Sequence, residues 1–257
     1  VVMPALYAPF IIMILALVFR GVAFEYRWRD KAHEKIWDRS FFFGSLIATF
    51  CQGIVLGAFV QGIEVDGRAY GGGWWDWLTP FTVTCGIALV AGYALLGTTW
   101  LVLKTEGTLR DSAYRFAIRS GLATLAFVGI VSLWTPFLSP EIAERWFTFP
   151  QLLFVLPVPT LTAILAAILG WSLIKRKDAI AFPTTIGLFA LCFAGLGIGI
   201  TPYIVPRAIT IQEAAAPDSS LLFMLVGAVI LLPLILAYTA YSYWVFRGKV
   251  DPDAGYH

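Results

Sequence analysis

The side chains that could do chemistry in this sequence gather where its first apolar run ends. Arg20 and Glu25 follow that run closely, and Asp38 comes shortly before the next one. A carboxylate held between guanidinium groups near a membrane surface can stay ionised and pass protons. The same group can equally form a salt bridge that only anchors a helix end. The residues alone leave both hypotheses open, with Glu25 as the central proton-path candidate and Arg20 and Asp38 beside it.

One polar side chain lies inside an apolar run. Gln52 stands near the middle of the second run, beside Cys51 and ahead of Gly53 and Gly57. The Gly53–Gly57 spacing is a GxxxG pattern, which lets two helices approach closely. Gln52 could contact a proton or a quinone, but an interhelical hydrogen bond is the favoured interpretation.

Ligands for a metal or a haem are scarce in the sequence. It has two histidines, His33 in a polar segment and His257 at the end of the chain, and neither lies in an apolar run. A membrane haem held by two histidines, or by histidine and methionine, therefore cannot be built from this chain alone. CxxC, HExxH and P-loop motifs are missing from the sequence. We therefore predict no metal and no cofactor bound by the chain's own ligands.

The composition indicates where these residues reside. Of the 257 residues, 59% are hydrophobic and 13% are charged, and mean hydropathy is +0.80. A soluble domain carries roughly 25% charged residues. These values exclude a soluble, a disordered or a nucleic-acid-binding protein. The three cysteines all lie in apolar runs, which argues against a disulfide framework.

About seven apolar runs are long enough to cross a bilayer, which takes about 20 residues of helix. Lipid cannot satisfy free backbone groups, and the runs lack the alternation of a barrel strand. We therefore predict an all-α integral membrane protein, with residues 1–257 forming a single polytopic domain. The predicted runs are Val1–Phe19, Ser40–Ile63, Pro80–Leu103, Ser120–Phe137, Phe149–Ile174, Ala179–Ile200 and Ser219–Phe246.

Basic residues alternate between the connecting segments. Fifteen of the 18 lysines and arginines follow the first, third, fifth and seventh runs, and the other three segments carry one each. The positive-inside rule predicts this alternation, so the basic segments and the C-terminus are expected to face the cytoplasm. Tryptophans, which favour the headgroup layer, cluster on the opposite side. The isolated basic residues are Arg68, Arg145 and Arg207, and the tryptophans include Trp74, Trp75, Trp77, Trp134 and Trp146.

A series of short strings occurs in order along nearly the whole chain. No single string is decisive, but together they resemble subunit II of cytochrome bd-type quinol oxidases, closest to the cyanide-insensitive branch. The strings are Tyr7–Phe10, Phe19–Arg27, Gly44-Ser45, Gln52-Gly53, Leu78–Phe81, Gly92–Gly97 with Trp100, Lys104–Gly107, Pro202–Pro206, Ile209–Ile211, Glu213–Ala215 and Tyr241–Trp244.

The resemblance implies a nine-helix subunit with its N-terminus outside and its C-terminus inside a bacterial inner membrane. The seven runs would then be the last seven helices, and the sequence, which starts at Val1 within an apolar run, would be a fragment lacking the first two. Glu25 matches the family's acidic position after its third helix, where the family implies proton uptake, with Arg20 beside it.

The resemblance also implies a heterodimer. A larger subunit I would hold haems b and d, take electrons from a quinol and reduce O2 to water with cytoplasmic protons. Subunit II would bind no haem through its own ligands, stabilise subunit I and contribute to proton or oxygen access. This picture leaves room for a bound quinone, for membrane lipid and for a small accessory subunit.

Two other classes of function stay open at this point. A secondary transporter could use Pro157 and Pro159 to break a helix and Gln52 to contact a solute, although the repeat typical of transporters is not visible in the sequence. A purely structural membrane scaffold would need neither feature. Co-purification with a haem-rich subunit favours the oxidase, whereas solute uptake by the isolated haem-free chain favours the transporter.

Overall fold

A computed structural model describes residues 1–67, 69–149 and 151–250 of the chain. Arg68 and His257 lie outside these ranges. Within the described residues, seven helices are long and apolar enough to cross a membrane. This confirms the predicted all-α integral membrane fold.

The long helices correspond one by one to the predicted apolar runs. They are α2 (Tyr7–Arg29), α3 (Glu34–Gln61), α4 (Pro80–Lys104), α5 (Gly107–Trp134), α8 (Pro157–Ile174), α9 (Asp178–Ile200) and α11 (Asp218–Val245). The shorter elements are α1 (Val2–Ala5), α6 (Pro140–Phe147), α7 (Gln151–Val155), α10 (Ile211–Ala214), 3-10 turns at Lys31–His33 and Thr135–Leu138, and two hairpins formed by β1 (Val65–Asp66) with β2 (Ala69–Tyr70) and by β3 (Tyr203–Val205) with β4 (Ile209–Thr210).

Three of the long helices extend several residues beyond the predicted runs, with α3 beginning at Glu34 and not at Ser40. The fifth predicted run, Phe149–Ile174, is divided between α7 and α8. Helix α2 continues past Phe19 to Arg29, so the charged residues after that run are helical. Helix α5 begins at Gly107, well before the predicted Ser120. Apolar character marks only the part of a helix that lies in hydrocarbon. The backbone hydrogen bonds continue to form in the headgroup region, where charged side chains are tolerated.

Helix α4 occupies the centre of the bundle. It packs against α3, α5 and α9, while α2 packs on α3 and α8 packs on α9. Thr79 caps the start of α4 by accepting a hydrogen bond from the Thr82 backbone N–H, and Pro80 takes the first helical position, where its missing N–H costs nothing. The buried side chains between α4, α5, α8 and α9 are Leu95, Val102, Ala113, Tyr114, Ala117, Leu169, Leu173, Ala181 and Leu188.

The GxxxG pair brings α3 directly against α4, which confirms the close approach predicted for it. A Cβ on Gly53 would lie 2.6 Å from the carbonyl oxygen of Cys85, and a Cβ on Gly57 would lie 2.9 Å from the Cα of Thr82. These distances are shorter than real Cβ contacts, so glycine is needed at both positions for the two backbones to meet.

Helix α11 is packed differently from the others. None of its residues is buried, although it is the most apolar of the seven spans, with a hydropathy of 2.8. A described contact with the bundle lies near its C-terminal end, where the Tyr243 ring meets the edge of Trp100 at 5.7 Å between centroids. The rest of α11 therefore exposes an apolar surface.

Gly62 ends α3 in a conformation that favours glycine. Its φ is +91°, and a Cβ there would collide with the guanidinium of Arg207. We expect Gly62→Ala to lower stability by about 2 kcal/mol, because φ +91° with ψ 155° is a conformation that essentially only glycine adopts, whereas the flexible Arg207 side chain can move aside at little cost. Gly67→Ala is the control: Gly67 has φ +57° and open space around it, so only strain of about 1 kcal/mol is expected. Thermal unfolding in detergent measures both, and equal losses would show that the backbone conformation of Gly62 costs alanine no more than that of Gly67.

Candidate functional site

Charged side chains gather at the end of the bundle where α2, α4 and α8 finish, which we term the basic end. Arg27 joins α2 to α3 there: its Nε donates to Asp38 Oδ1 at 2.5 Å, and its Nη2 pairs with Glu34 Oε1 at 2.8 Å. In the turn between the helices, His33 Nδ1 lies 3.0 Å from the Asp30 carboxylate. This hydrogen bond lowers the pKa of the Asp30 carboxyl below its ordinary value. Charge pairing thus holds the turn together.

The proton-path candidates lie near this turn but do not form one network. Glu25 is 62% exposed and pairs with Arg29, one turn along α2, at 2.9 Å. The Arg20 guanidinium lies 5.5 Å from the centroid of the Phe41 ring. Asp38 belongs to the α2–α3 pairing already described. Among the described ion pairs, none links these three candidates, so any joint action would pass through solvent.

Gln52 makes the interhelical hydrogen bond that was the favoured interpretation. The Tyr93 hydroxyl on α4 donates to Gln52 Oε1 on α3 at 3.0 Å. Both side chains lie on the surface of the bundle, where lipid or another chain would meet them. A proton or quinone contact of Gln52 stays a prediction.

The sequence pattern does not predict a second charged cluster that the structure shows at the basic end. It centres on Asp178, the first residue of α9, whose side chain is only 21% exposed. Tyr114 Oη donates to Asp178 Oδ1 at 2.6 Å, and Oδ2 pairs with Arg110 Nη1 at 3.3 Å and Lys249 Nζ at 2.5 Å. One carboxylate therefore connects α5, α9 and the segment after α11.

The segment after α11 folds back over the end of α4. The Lys104 ammonium donates to the carbonyl oxygens of Phe246 and, at 3.1 Å, of Gly248. In return the Val250 N–H donates to the Lys104 carbonyl oxygen at 2.8 Å. These bonds and the Lys249–Asp178 pair attach the segment to two neighbouring helix ends.

Histidine and methionine, the side chains that could ligate a haem, are few among the described residues. His33 sits in the surface turn between α2 and α3, with its Nδ1 turned to Asp30. Met3 and Met224 are exposed and belong to α1 and α11, and Met13, half-buried, belongs to α2. Axial ligation requires donors that converge on the iron. Within residues 1–67, 69–149 and 151–250, no group of three or more His, Cys, Asp or Glu side chains could hold a metal ion.

Comparison with known proteins gives a consistent assignment. The family model described as cytochrome bd terminal oxidase subunit II matches residues 1–246. The cytochrome bd ubiquinol oxidase subunit 2 of Bacillus subtilis is 27% identical over 257 residues, which cover 95% of this chain and 73% of that protein. The cytochrome bd-I ubiquinol oxidase subunit 2 of Escherichia coli strain K12 is 25% identical over 283 residues, covering 96% of this chain and 75% of that protein.

A solved structure shares the fold. A chain in the structure of bd oxidase from Geobacillus thermodenitrificans superimposes with a TM-score of 0.74 at 17% identity, covering 93% of this chain and 73% of that chain. The shared bundle agrees with the family match, which extends over all seven candidate membrane spans. The chain therefore belongs to the cytochrome bd terminal oxidase subunit II family and is a subunit of a quinol oxidase complex.

Proposed function

We propose that this chain is the subunit that ligates no haem, in a heterodimer whose other subunit carries haems b and d. The observation that carries the proposal is a family match over residues 1–246 in a chain with two histidines. The partner would take electrons from a quinol and reduce O2 to water. This chain would stabilise that partner in the membrane and contribute to proton or oxygen access. The transporter and scaffold alternatives are not favoured, because the relatives are oxidase subunits.

We infer that the basic end faces the cytoplasm of a bacterial inner membrane, with the C-terminus on that side. Supporting this orientation, α2, α4, α8 and α11 are each followed or terminated by basic side chains. Trp74 and Trp75 at the opposite end are exposed, as are Trp28 and Trp244 at the basic end, which is expected for headgroup contacts at both interfaces and leaves the basic side chains to carry the orientation. Protons consumed in O2 reduction would then be taken up at the basic end.

Mild-detergent purification tests whether the partner subunit, and not this chain, binds the haems. We expect this chain to co-purify with a larger subunit and the complex to show haem b and haem d bands in a reduced-minus-oxidised spectrum. The chain expressed without its partner should show neither band. Solvent extraction of the complex would show whether a quinone is bound, and the band pattern on a gel would show whether a small accessory subunit is present. Haem bound by the isolated chain would contradict the proposal.

Within this function, Glu25 is the proposed proton-uptake residue. Its exposed carboxylate at the end of α2 can exchange protons with water, and it pairs with Arg29 on the same helix. Arg20 and Asp38, on either side of the same helix–helix turn, would set the local charge. The support comes from position and exposure, together with the match to the family's acidic position.

Glu25→Gln should lower quinol oxidase turnover by about tenfold, equivalent to about 1.4 kcal/mol of activation free energy. The amide keeps the size of the side chain but cannot carry a proton. Oxygen consumption by the purified complex measures the effect, and Glu25→Asp should recover most of the rate.

Glu106→Gln is the matched control, because Glu106 is also exposed and stands at the basic end, just after α4. Its turnover should stay within a factor of two of the wild-type rate. If Glu25→Gln behaves in the same way, Glu25 is a salt-bridged anchor and has no part in proton uptake.

A further inference from the structure

A groove of about 370 Å³ at the basic end borders the Asp178 cluster, since the Arg176 guanidinium lies 5.4 Å from the centroid of the Tyr114 ring. It is lined by Thr108, Asp111, Ser112 and Arg115 of α5 and by Arg176 of the turn between α8 and α9. Asp111, Ser112 and Arg115 follow Thr108 by three, four and seven residues. The four side chains therefore lie on one face of the helix and form a polar stripe. The α5 wall of the groove therefore carries both hydroxyl and guanidinium groups.

The groove has an excess of positive charge. Arg176 Nη1 pairs with Asp111 Oδ1 at 2.7 Å, which neutralises the one carboxylate among the lining residues. Arg115 Nη2 donates to the Ser112 hydroxyl at 3.1 Å. Arg119, one turn further along the same face, extends the stripe. In the described part of the chain, no carboxylate lies within 4.0 Å of the guanidinium nitrogens of Arg115 or Arg119.

The same face of α5 then becomes an exposed apolar ridge. Leu122, Ala126, Ile130 and Leu133 continue the spacing of Arg115 and Arg119 toward the other end of the helix. Leu122 is 67% exposed and Leu133 is 75% exposed. One face of a single helix thus carries two arginines and hydroxyls at its start and hydrocarbon along its length.

We propose that this face of α5 binds an anionic phospholipid. The phosphate is held by Arg115 and Arg119 with the hydroxyl of Ser112, and an acyl chain lies along the ridge that begins at Leu122. Arginine suits a phosphate because its planar fork donates more than one hydrogen bond. The net positive charge selects an anionic lipid, since a zwitterionic headgroup brings its own cation to the same wall.

Lipid titration of the purified oxidase complex tests the site. The complex is delipidated in mild detergent and titrated with phosphatidylglycerol, and the lipid bound per complex is counted by native mass spectrometry. The wild type should bind one phosphatidylglycerol more tightly than the remainder. The affinity should fall about fivefold for each of Arg115→Gln and Arg119→Gln, and about 25-fold for the double variant.

Three controls make the result specific. Arg115→Lys with Arg119→Lys keeps the charge and should recover most of the binding. Arg39→Gln removes an exposed arginine from α3, on the same end of the bundle, and should leave the affinity unchanged. An unaltered haem spectrum and retention of the partner show that each variant complex is folded.

Several results would overturn the proposal. One is equal phosphatidylglycerol affinity in the wild type and the double variant. Another is phosphatidylcholine binding as tight as that of phosphatidylglycerol. A third is displacement of the lipid by equimolar inorganic phosphate, which would identify a site for free phosphate. A wild-type complex that binds no phosphatidylglycerol would also overturn it, because that is the result expected if a protein partner covers this face.

Discussion

Gly53→Leu is expected to separate α3 from α4 and to lower stability by about 4 kcal/mol, enough to prevent recovery of most of the complex. A Cβ at this position would lie 2.6 Å from both the Cys85 carbonyl oxygen and the Gly86 Cα. Both are backbone atoms, so they can move only if α4 moves with them. Because α4 also packs on α5 and α9, that movement disturbs the whole bundle. Even Gly53→Ala should cost about 2 kcal/mol.

Gly97→Leu is the matched control for this prediction. Gly97 belongs to α4 and has open space around its Cα, so leucine there should change stability by less than about 0.5 kcal/mol. Fluorescence-detected size-exclusion of the complex measures recovery, and thermal unfolding in detergent measures stability. If the Gly53→Leu and Gly97→Leu complexes unfolded at the same temperature, the close contact of α3 with α4 would not be a source of stability.

The Gly53–Gly57 contact shows how far sequence reasoning reaches in this fold. The spacing predicts that α3 meets another helix closely, because small residues four apart remove side chains from one face. It does not say which helix is met. That helix is α4, because the connection over residues 62–79 returns the chain beside α3 and Thr79 at the start of α4 donates to Gln61 at 2.7 Å.

Apolar character predicts spans well and neighbours poorly. Lipid and protein interiors are equally apolar, so hydropathy cannot tell a lipid-facing helix from a packed one. Helix α11 has the highest hydropathy of the seven spans, yet none of its residues is buried, whereas α3 is less apolar and more buried. Which helices pack together depends on small residues and on the partners that other chains supply. The length and hydropathy of an apolar run predict neither of these.

The charged residues show the same division. Counting lysines and arginines along the sequence predicts that they lie at one end of the bundle, but it does not predict which carboxylate each of them pairs with. Arg27 became the centre of the α2–α3 turn because α3 returns at an angle that brings Asp38 to it, eleven residues away. Asp178 was missed because its partners are 64 and 71 residues distant in the chain, and no local pattern links them.

Asp178→Ala is expected to release the segment after α11 and to destabilise its docking by about 2 kcal/mol. The carboxylate accepts from Tyr114 and is shared by Arg110 and Lys249. Without it, two cations face each other across a partly buried site and the Tyr114 hydroxyl loses its acceptor. Each hydrogen bond to a charged group is worth about 1.5–3 kcal/mol, and solvent at this end of the bundle reduces the sum.

Limited trypsin digestion measures the release, because Arg247 and Lys249 both lie in the docked segment. Cleavage of a segment that opens and closes quickly follows the population of the open form, so 2 kcal/mol should accelerate it about 30-fold. Asp178→Asn keeps an acceptor for the Tyr114 hydroxyl but loses the charge, and it should give an intermediate acceleration.

Asp111→Asn is the control for charge removal at the basic end. Asp111 pairs with Arg176 on the exposed surface, and the interactions described for it do not involve the segment after α11. Its cleavage rate should stay within a factor of two of the wild-type rate. If Asp178→Ala left cleavage equally slow, the Lys104 bonds to the Phe246 and Gly248 carbonyls would be sufficient to hold the segment. A Lys104→Ala variant would then accelerate cleavage where Asp178→Ala did not, which separates attachment through the backbone from attachment through charge.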